Sequence, residues 1–157
     1  MSRSGIGYDS HRLVAGRPLI LGGVEVASEL GAEGHSDADV LAHAVIDALL
    51  GAAGLGDIGM HFPDSDERYR DADSIELLRA AVAVVRAAGY TIVNVDATVV
   101  LESPKLGDAR ERMRERLAHA LDVDRQAVNV KATTGEAMGF VGRREGVAAL
   151  AIATLDG

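Results

Sequence analysis

A chain of 157 residues suits one packed core and is short for two, so residues 1–157 are expected to form a single domain. Apolar residues at 48% exclude a disordered chain, no apolar run reaches the ~20 residues of a membrane span, and the absence of cysteine excludes disulfides and thiolate metal sites. A net charge of −8 speaks against a nucleic-acid groove, and an N-terminus without an apolar stretch points to a cytoplasmic protein.

In chain order, Ser4–His11 reads as a short strand, and Pro18–Val26 as a hairpin turning at Gly22-Gly23. Gly31–Ala38 reads as loop. A helix begins near Ser36, where Ser36 and Asp39 have capping-box spacing, and stops at Gly54 after Ala53. Val40, Leu41, Ala44, Val45, Ala48 and Leu49 keep helical period within it. Gly54–Ala72 has no period and is long for a connection, which marks functional loops. A second helix runs from Asp73, paired with Glu76 as a capping box, to Ala88. Tyr90–Leu101 is β-rich, with Thr91, Val93, Val95, Ala97, Val99 and Leu101 on one face. A third helix covers Asp108–Leu121; its run of Arg110, Arg112, Arg114 and Arg116 alternates with Glu111 and Glu115, as a solvated face does. Ala127–Ala132 and Gly146–Thr154 read as the last strands.

This order predicts an α+β fold: a two-layer domain, one mixed β-sheet with helices packed on one face. The other face is then bare, and a second copy is the natural cover.

Residues two apart on a strand share a side, with origins about 6.5–7 Å apart, so Asp9 and His11 can converge on one ion. A D-x-H triplet alone arises easily by chance. Asp39, His43 and Asp47 form a polar stripe at i, i+4 and i+8 on an apolar helix, which on its own reads as solvent-facing. Apolar flanks on both sides of His43 favour a ligand instead, with one of those carboxylates orienting its second ring nitrogen. Asp9, His11 and His43 would give three ligands and an open position, the pattern of a catalytic zinc. His35 and Ser36 precede the helix, where an anion is favoured. Thr133, Thr134, Gly135 and Glu136 follow a strand as a polar turn that could hold a diphosphate and a magnesium ion. No Ser/His/Asp triad is evident.

The set D-S-H, HSDADVLAHAVIDALLGAAGLGDIGMHFPD, SPKL and NVKATTGEAMGFVGRREG resembles, in order and over the whole chain, the 2-C-methyl-D-erythritol 2,4-cyclodiphosphate synthase family of non-mevalonate isoprenoid biosynthesis. Gly135 departs from it, standing where Thr or Asn is usual.

The resemblance implies conversion of 4-diphosphocytidyl-2-C-methyl-D-erythritol 2-phosphate to the cyclic 2,4-diphosphate with release of CMP. It makes Asp9, His11 and His43 ligands of Zn²⁺ or another divalent cation, and Glu136 the ligand of a Mg²⁺ or Mn²⁺ bridging the diphosphate. His35 and Thr134 become the residues that stabilise the transition state. Asp9, His11, His35, Ser36 and Glu136 also touch substrate. Asp57, Ile58 and Gly59, with Phe62, Pro63, Asp64, Ser65 and Asp66, become the loop around the methylerythritol. Leu101, Glu102, Ser103, Pro104, Lys105, Leu106 and Gly107, with Ala132, Thr133, Thr134 and Gly135, become the cytidine and phosphate pocket. Family members are homotrimers with active sites between subunits, and Phe140, Arg143 and Glu145 match residues lining a central cavity that holds an isoprenoid diphosphate in some of them. An isoprenoid-diphosphate-binding trimer without turnover and a metallo-phosphohydrolase are the alternatives.

Overall fold

The computed structural model describes residues 1–157. Twelve elements follow in order: β1 (Ser2–Ala15), β2 (Leu19–Leu21), β3 (Val24–Val26), β4 (Leu30–Ala32), α1 (Val40–Ala53), α2 (Ile58–His61), α3 (Ser74–Ala87), β5 (Thr91–Val100), α4 (Ala109–Leu121), β6 (Val128–Thr133), α5 (Gly139–Gly142) and β7 (Gly146–Asp156). The main sheet has the order β4-β1-β7-β5-β6, and β2 and β3 form a separate hairpin. All pairings in the main sheet are antiparallel except β5–β6, so the sheet is mixed as expected. No helix is long and apolar enough to cross a membrane.

The core lies between the sheet and α1, α3 and α4, built from aliphatic side chains such as Leu49, Leu78, Leu117, Val99 and Leu155. α1 is buried almost all round, because β1 and β7 lie under it and α3 beside it. Its close seating on β1 follows from two glycines. A Cβ on Gly5 would lie 2.2 Å from the Ala48 carbonyl oxygen, and one on Gly7 only 1.8 Å from that of Ala44. Four helical residues rise about 6 Å and two strand residues about 6.6 Å, so successive alternate positions of β1 meet successive turns of α1. Gly5 and Gly7 are followed at the same spacing by Asp9, which meets the side chain of His43, the residue before Ala44.

Gly7→Ala therefore forces backbone apart. Its expected cost is about 3 kcal/mol or more, seen as a melting temperature lower by roughly 6 °C or more for a chain of this size. A melt within 2 °C of the parent would mean that helix and strand are not in that contact.

Several sequence expectations are corrected. The cap of α1 is Asp39, not Ser36: its carboxylate accepts from Ala42 N at 3.0 Å and also from Gly22 N and Gly23 N at 2.8 and 2.7 Å. Ser36 instead takes the amide of Ala38, which is left-handed at φ 57° and so keeps the chain out of the helix. The first strand is far longer than Ser4–His11, and the segment read as loop from Gly31 contains β4, paired with β1 through Leu13–Ala15. Gly54–Ala72 holds α2 and a single 3-10 turn at Glu67–Tyr69. In β5 a bulge between Ile92 and Asn94 switches the alternation, so Ile92 is buried and Val93 exposed. The Asp73 cap of α3 stands, accepting from Ile75 N at 2.9 Å, while Glu76 pairs with Arg79 instead of closing a box.

The sheet face away from the helices is bare, as expected. Ile6 and Ile152 are neighbours across β1–β7 and are 68% and 50% exposed; Tyr8 and Leu150 form the next such pair. Beside them Lys131 and Asp96 make an ion pair at 2.7 Å.

Candidate active site

Asp9 and His11 leave β1 on the side facing α1, and His43 comes down from α1 to meet them. Asp9 Oδ2 lies 2.9 Å from His11 Nε2 and 3.0 Å from His43 Nδ1, and those two nitrogens are 3.3 Å apart. Ligands about 2.0–2.1 Å from a tetrahedral zinc sit about 3.3 Å from one another, so the three atoms already span nearly one face of that tetrahedron. Two imidazoles and one carboxylate can hold a divalent ion here.

Both rings are turned by groups behind them. His11 Nδ1–H donates to the Glu33 carbonyl at 3.1 Å, which leaves Nε2 facing the cluster with a lone pair. His43 Nε2 is 2.8 Å from Ser74 Oγ, and the Ser74 hydroxyl donates to Asp37. That hydroxyl must then accept from His43 Nε2–H, which leaves Nδ1 for the cluster. The orienting carboxylate is therefore Asp37, through Ser74. Asp39 and Asp47, expected from the helical stripe, do other things. Asp39 caps the helix, and Asp47 accepts from Ile58 N at 2.7 Å to hold the start of α2.

The protonation pattern reflects the crowding. With no metal bound, burial opposes a charge on Asp9, but hydrogen bonds from His11 and His43, whose cluster-facing nitrogens donate only when the rings are protonated, outweigh it and lower its pKa from 3.8 to about 2. Burial likewise opposes a charge on His43, yet the Asp9 carboxylate dominates and its pKa lies above 6.5. Burial pushes Asp39 and Asp47 above the ordinary 3.8, against their backbone hydrogen bonds.

In the metal-free protein these shifts set the sign of the pH dependence. The depressed Asp9 contributes stability above 3.8 that is lost as pH falls toward about 2. The raised His43 contributes below 6.5 and is lost as pH rises through its folded value. Denaturant titrations of wild type and Asp9→Asn, with metal removed, are thus expected to differ most between about pH 4 and 6.5 and to converge at both ends. A difference that does not change with pH would contradict the coupling.

A cavity of about 370 Å³ opens over the cluster, lined by His35, Ser36, Ile58, Gly59, Phe62, Pro63 and Asp64 among others. His35 and Ser36 do not sit at the end of α1, since Ala38 and Asp39 intervene and Asp39 already occupies the cap. His35 Nε2–H donates to the Asp66 carbonyl at 3.1 Å, tying it to the loop opposite. Asp57 caps α2 through Met60 N at 3.0 Å, and the Asp66 carboxylate pairs with Arg68. Asp64 faces the cavity, and exposed Ser65 does not line it. Tyr69, edge-on to Phe62 at 5.5 Å between ring centres, lines the same cavity and has no signature in the sequence.

The second group of expected residues builds a separate cavity of about 320 Å³. Leu101, Glu102, Pro104, Lys105, Leu106 and Gly107 line it with Ala132, Thr133 and Thr134. Arg110, read from sequence as part of a solvated helix face, joins Lys105 there. Ser103 is not in its wall. Glu102 supports the loop after β6, accepting from Gly135 N and Ala137 N at 2.9 and 3.0 Å. Thr134 Oγ1 accepts from Glu136 N at 3.1 Å. Phe140 and Glu145 flank a third hollow beside Ser10 and Arg12, with Arg143 paired to Glu145 at 3.2 Å.

One chain does not bring these groups together. Asp9, Ala149, Val99 and Ala132 occupy one row of the sheet, so Asp9 and Ala132 are three strand spacings apart, roughly 14 Å. Ala149 and Val99 between them are fully buried.

An α+β domain whose helix and strand converge an Asp/His/His cluster on a polar cavity has the form of an enzyme site able to hold a divalent ion. The model of the YgbB family matches residues 2–156, and the chain belongs to that family. A 2-C-methyl-D-erythritol 2,4-cyclodiphosphate synthase of Salinibacter ruber is 63% identical over 154 residues, covering 98% of each chain. The structure of a 2C-methyl-D-erythritol-2,4-cyclodiphosphate synthase in a CDP-bound form shares 40% identity at a TM-score of 0.90, over 98% of this chain and 100% of that one. The bifunctional IspDF of Campylobacter jejuni shares 47% identity at a TM-score of 0.95; the match covers 99% of this chain and 42% of that protein.

Proposed function

We infer that the chain converts 4-diphosphocytidyl-2-C-methyl-D-erythritol 2-phosphate into 2-C-methyl-D-erythritol 2,4-cyclodiphosphate and CMP. An oxygen of the substrate's 2-phosphate forms a bond to the β-phosphorus, and the bridging oxygen leaves with CMP. The observation that carries this reading is the Asp9/His11/His43 cluster opening on the cavity in a chain with full-length synthase relatives.

The protein need supply neither nucleophile nor base, since a phosphate monoester with a second pKa near ~6 is already largely dianionic at neutral pH. Its residues bind, orient and screen charge. Zinc suits Asp9, His11 and His43, and an ion there, with a magnesium or manganese on Glu136, supplies the positive charge that lets one phosphate approach another. His35 of this chain and Thr134 of a neighbouring copy would donate to the phosphate oxygens as charge shifts between them. Asp64 is free to accept from the polyol hydroxyls. Lys105, Arg110 and the segment Ala132–Thr134 would hold the cytidine diphosphate, in line with the CDP-bound relative.

Because the two cavities share no residue, the substrate is best accommodated where a neighbouring copy brings its 101–107 cavity to this chain's metal cluster. The bare apolar face supplies the surface for that assembly, which we take to be a homotrimer of single-domain chains. Phe140, Arg143 and Glu145 would then border a central cavity, where an isoprenoid diphosphate could be held.

Ser74, His43 and Asp9 do stand in the contact order of a hydrolytic triad, with separations of 2.8 and 3.0 Å. Ser74 is fully buried and its hydroxyl donates to Asp37 rather than to His43, so neither access nor an activating base is available for attack on a substrate. Phosphorus NMR of the products tests the reading: a cyclic diphosphate and CMP are expected. Free orthophosphate would replace it with a phosphohydrolase, and unchanged substrate with a binding role.

A further inference from the structure

We propose that Ser74 and Asp37 are positioning residues for the metal centre, a two-residue relay that holds His43 with Nδ1 toward the ion and ties that orientation to the wall of the substrate cavity. Neither residue lines the cavity, so neither is a catalytic residue. The inference rests on the metal reading of Asp9, His11 and His43.

The relay is built from opposing demands. Ser74 is the first residue of α3, whose backbone N–H has no partner within the helix. Asp37 satisfies it: one carboxylate oxygen takes Ser74 N at 3.0 Å, and the other takes the Ser74 hydroxyl proton. With that proton committed, Ser74 Oγ can only accept from His43, and Nε2 is held as the N–H nitrogen at 2.8 Å. Ser36 Oγ flanks the same nitrogen at 3.3 Å, while accepting the Ala38 amide. An imidazole whose far nitrogen is fixed in this way presents its near nitrogen as a better-aimed and more basic ligand.

The same two segments are laced together by backbone. Asp71 N donates to the His35 carbonyl at 2.8 Å, and Asp37 N to the Ala72 carbonyl at 3.1 Å. The strand of chain carrying His35 and the end of the loop carrying Phe62–Asp66 thus meet at the relay. Asp37 serves both, which is why a carboxylate there does more than cap α3.

Zinc affinity, measured by chelator competition on the purified full-length protein, is expected to fall about 10–100-fold in Ser74→Ala, the usual effect of losing such a partner. Asp37→Asn keeps the shape, but its single acceptor oxygen cannot serve both Ser74 N and the hydroxyl; with the NH2 toward Ser74 Oγ the hydroxyl proton is free to turn to His43 Nε2, and a loss of at least several-fold is expected. Ser74→Thr restores the hydroxyl and should recover affinity to within a few-fold of wild type. In the zinc-loaded protein, a slowly exchanging His43 Nε2–H proton resonance is expected in wild type and Ser74→Thr and absent in Ser74→Ala. A purely structural role for Ser74 would leave that resonance in place. Affinity in Ser74→Ala within threefold of wild type, at an unchanged melting profile, overturns the proposal. Should Ser74→Ala fail to fold, Asp37→Asn decides, and unchanged affinity there overturns it equally. Wild-type protein that fails to bind zinc at all would overturn the metal reading, and this one with it; tight wild-type binding with insensitive variants overturns this one alone.

Discussion

His43→Ala is expected to lower kcat/KM by about a thousandfold or more while the protein stays folded and assembled. The magnitude follows from the barrier the site has to remove. Two unit charges about 4 Å apart repel by roughly 4 kcal/mol at an effective dielectric of 20, and each ~1.4 kcal/mol is tenfold in rate. Few other sources of charge are near: the cavity over the cluster has no lysine or arginine in its wall. The substitution removes a ligand at the centre of a connected set, leaving Asp9 with one histidine and Ser74 Oγ without its donor. A buried group left unpaired costs about 1–3 kcal/mol, which lowers the melting temperature without unfolding a domain of ordinary stability. Turnover, zinc content and the thermal melt of the variant check this together. Loss of the fold would mean a structural ion, and activity within tenfold of wild type would move the chemistry elsewhere.

The cluster shows how far local pattern reaches. Asp9 and His11 were legible as a pair because strand alternation fixes them on one side, and His43 because apolar neighbours marked a buried helix face. What turned His43 was not legible. Spacing pointed to Asp39 and Asp47 on the same helix, whereas the partner came from Ser74, 31 positions away and unmarked apart from standing at a helix start. Asp39 had a stronger demand on it, since three backbone amides converge where the β2–β3 turn meets the end of α1. The same limit explains the missed strand β4. Leu30-Gly31-Ala32 has little β pattern of its own, and pairing with β1 makes it a strand. The bulge in β5 put Val93 on the wrong face, because a period of two survives only while the register does. The spans of α3 and α4 were read closely, since helix starts and stops are local, although Glu76 closes no box and Asp108 makes no cap hydrogen bond. The Ser/His/Asp contact set could not be anticipated from sequence, and burial of its serine is what empties it of nucleophilic meaning.

Ile152→Glu is expected to separate assembly from metal binding. Ile152 sits at the centre of the bare face, beside Ile6 on one side and Asp96 on the other. A glutamate there lies directly across from the Asp96 carboxylate, an unfavourable pairing within the sheet, and would have to be buried in any interface this face forms. In the lone chain it is half-exposed and costs little, so folding should persist. Light scattering is expected to show the mass of a single chain in place of that of the proposed trimer. Zinc binding per chain should remain, since Asp9, His11 and His43 all come from one chain and lie on the opposite side of the sheet from Ile152. Turnover should nonetheless collapse if, as proposed, the 101–107 cavity of a neighbouring copy completes the site. A monomeric Ile152→Glu protein with full activity would place the entire reaction within one chain, and the roughly 14 Å between Asp9 and Ala132 would then have to be bridged by the substrate alone.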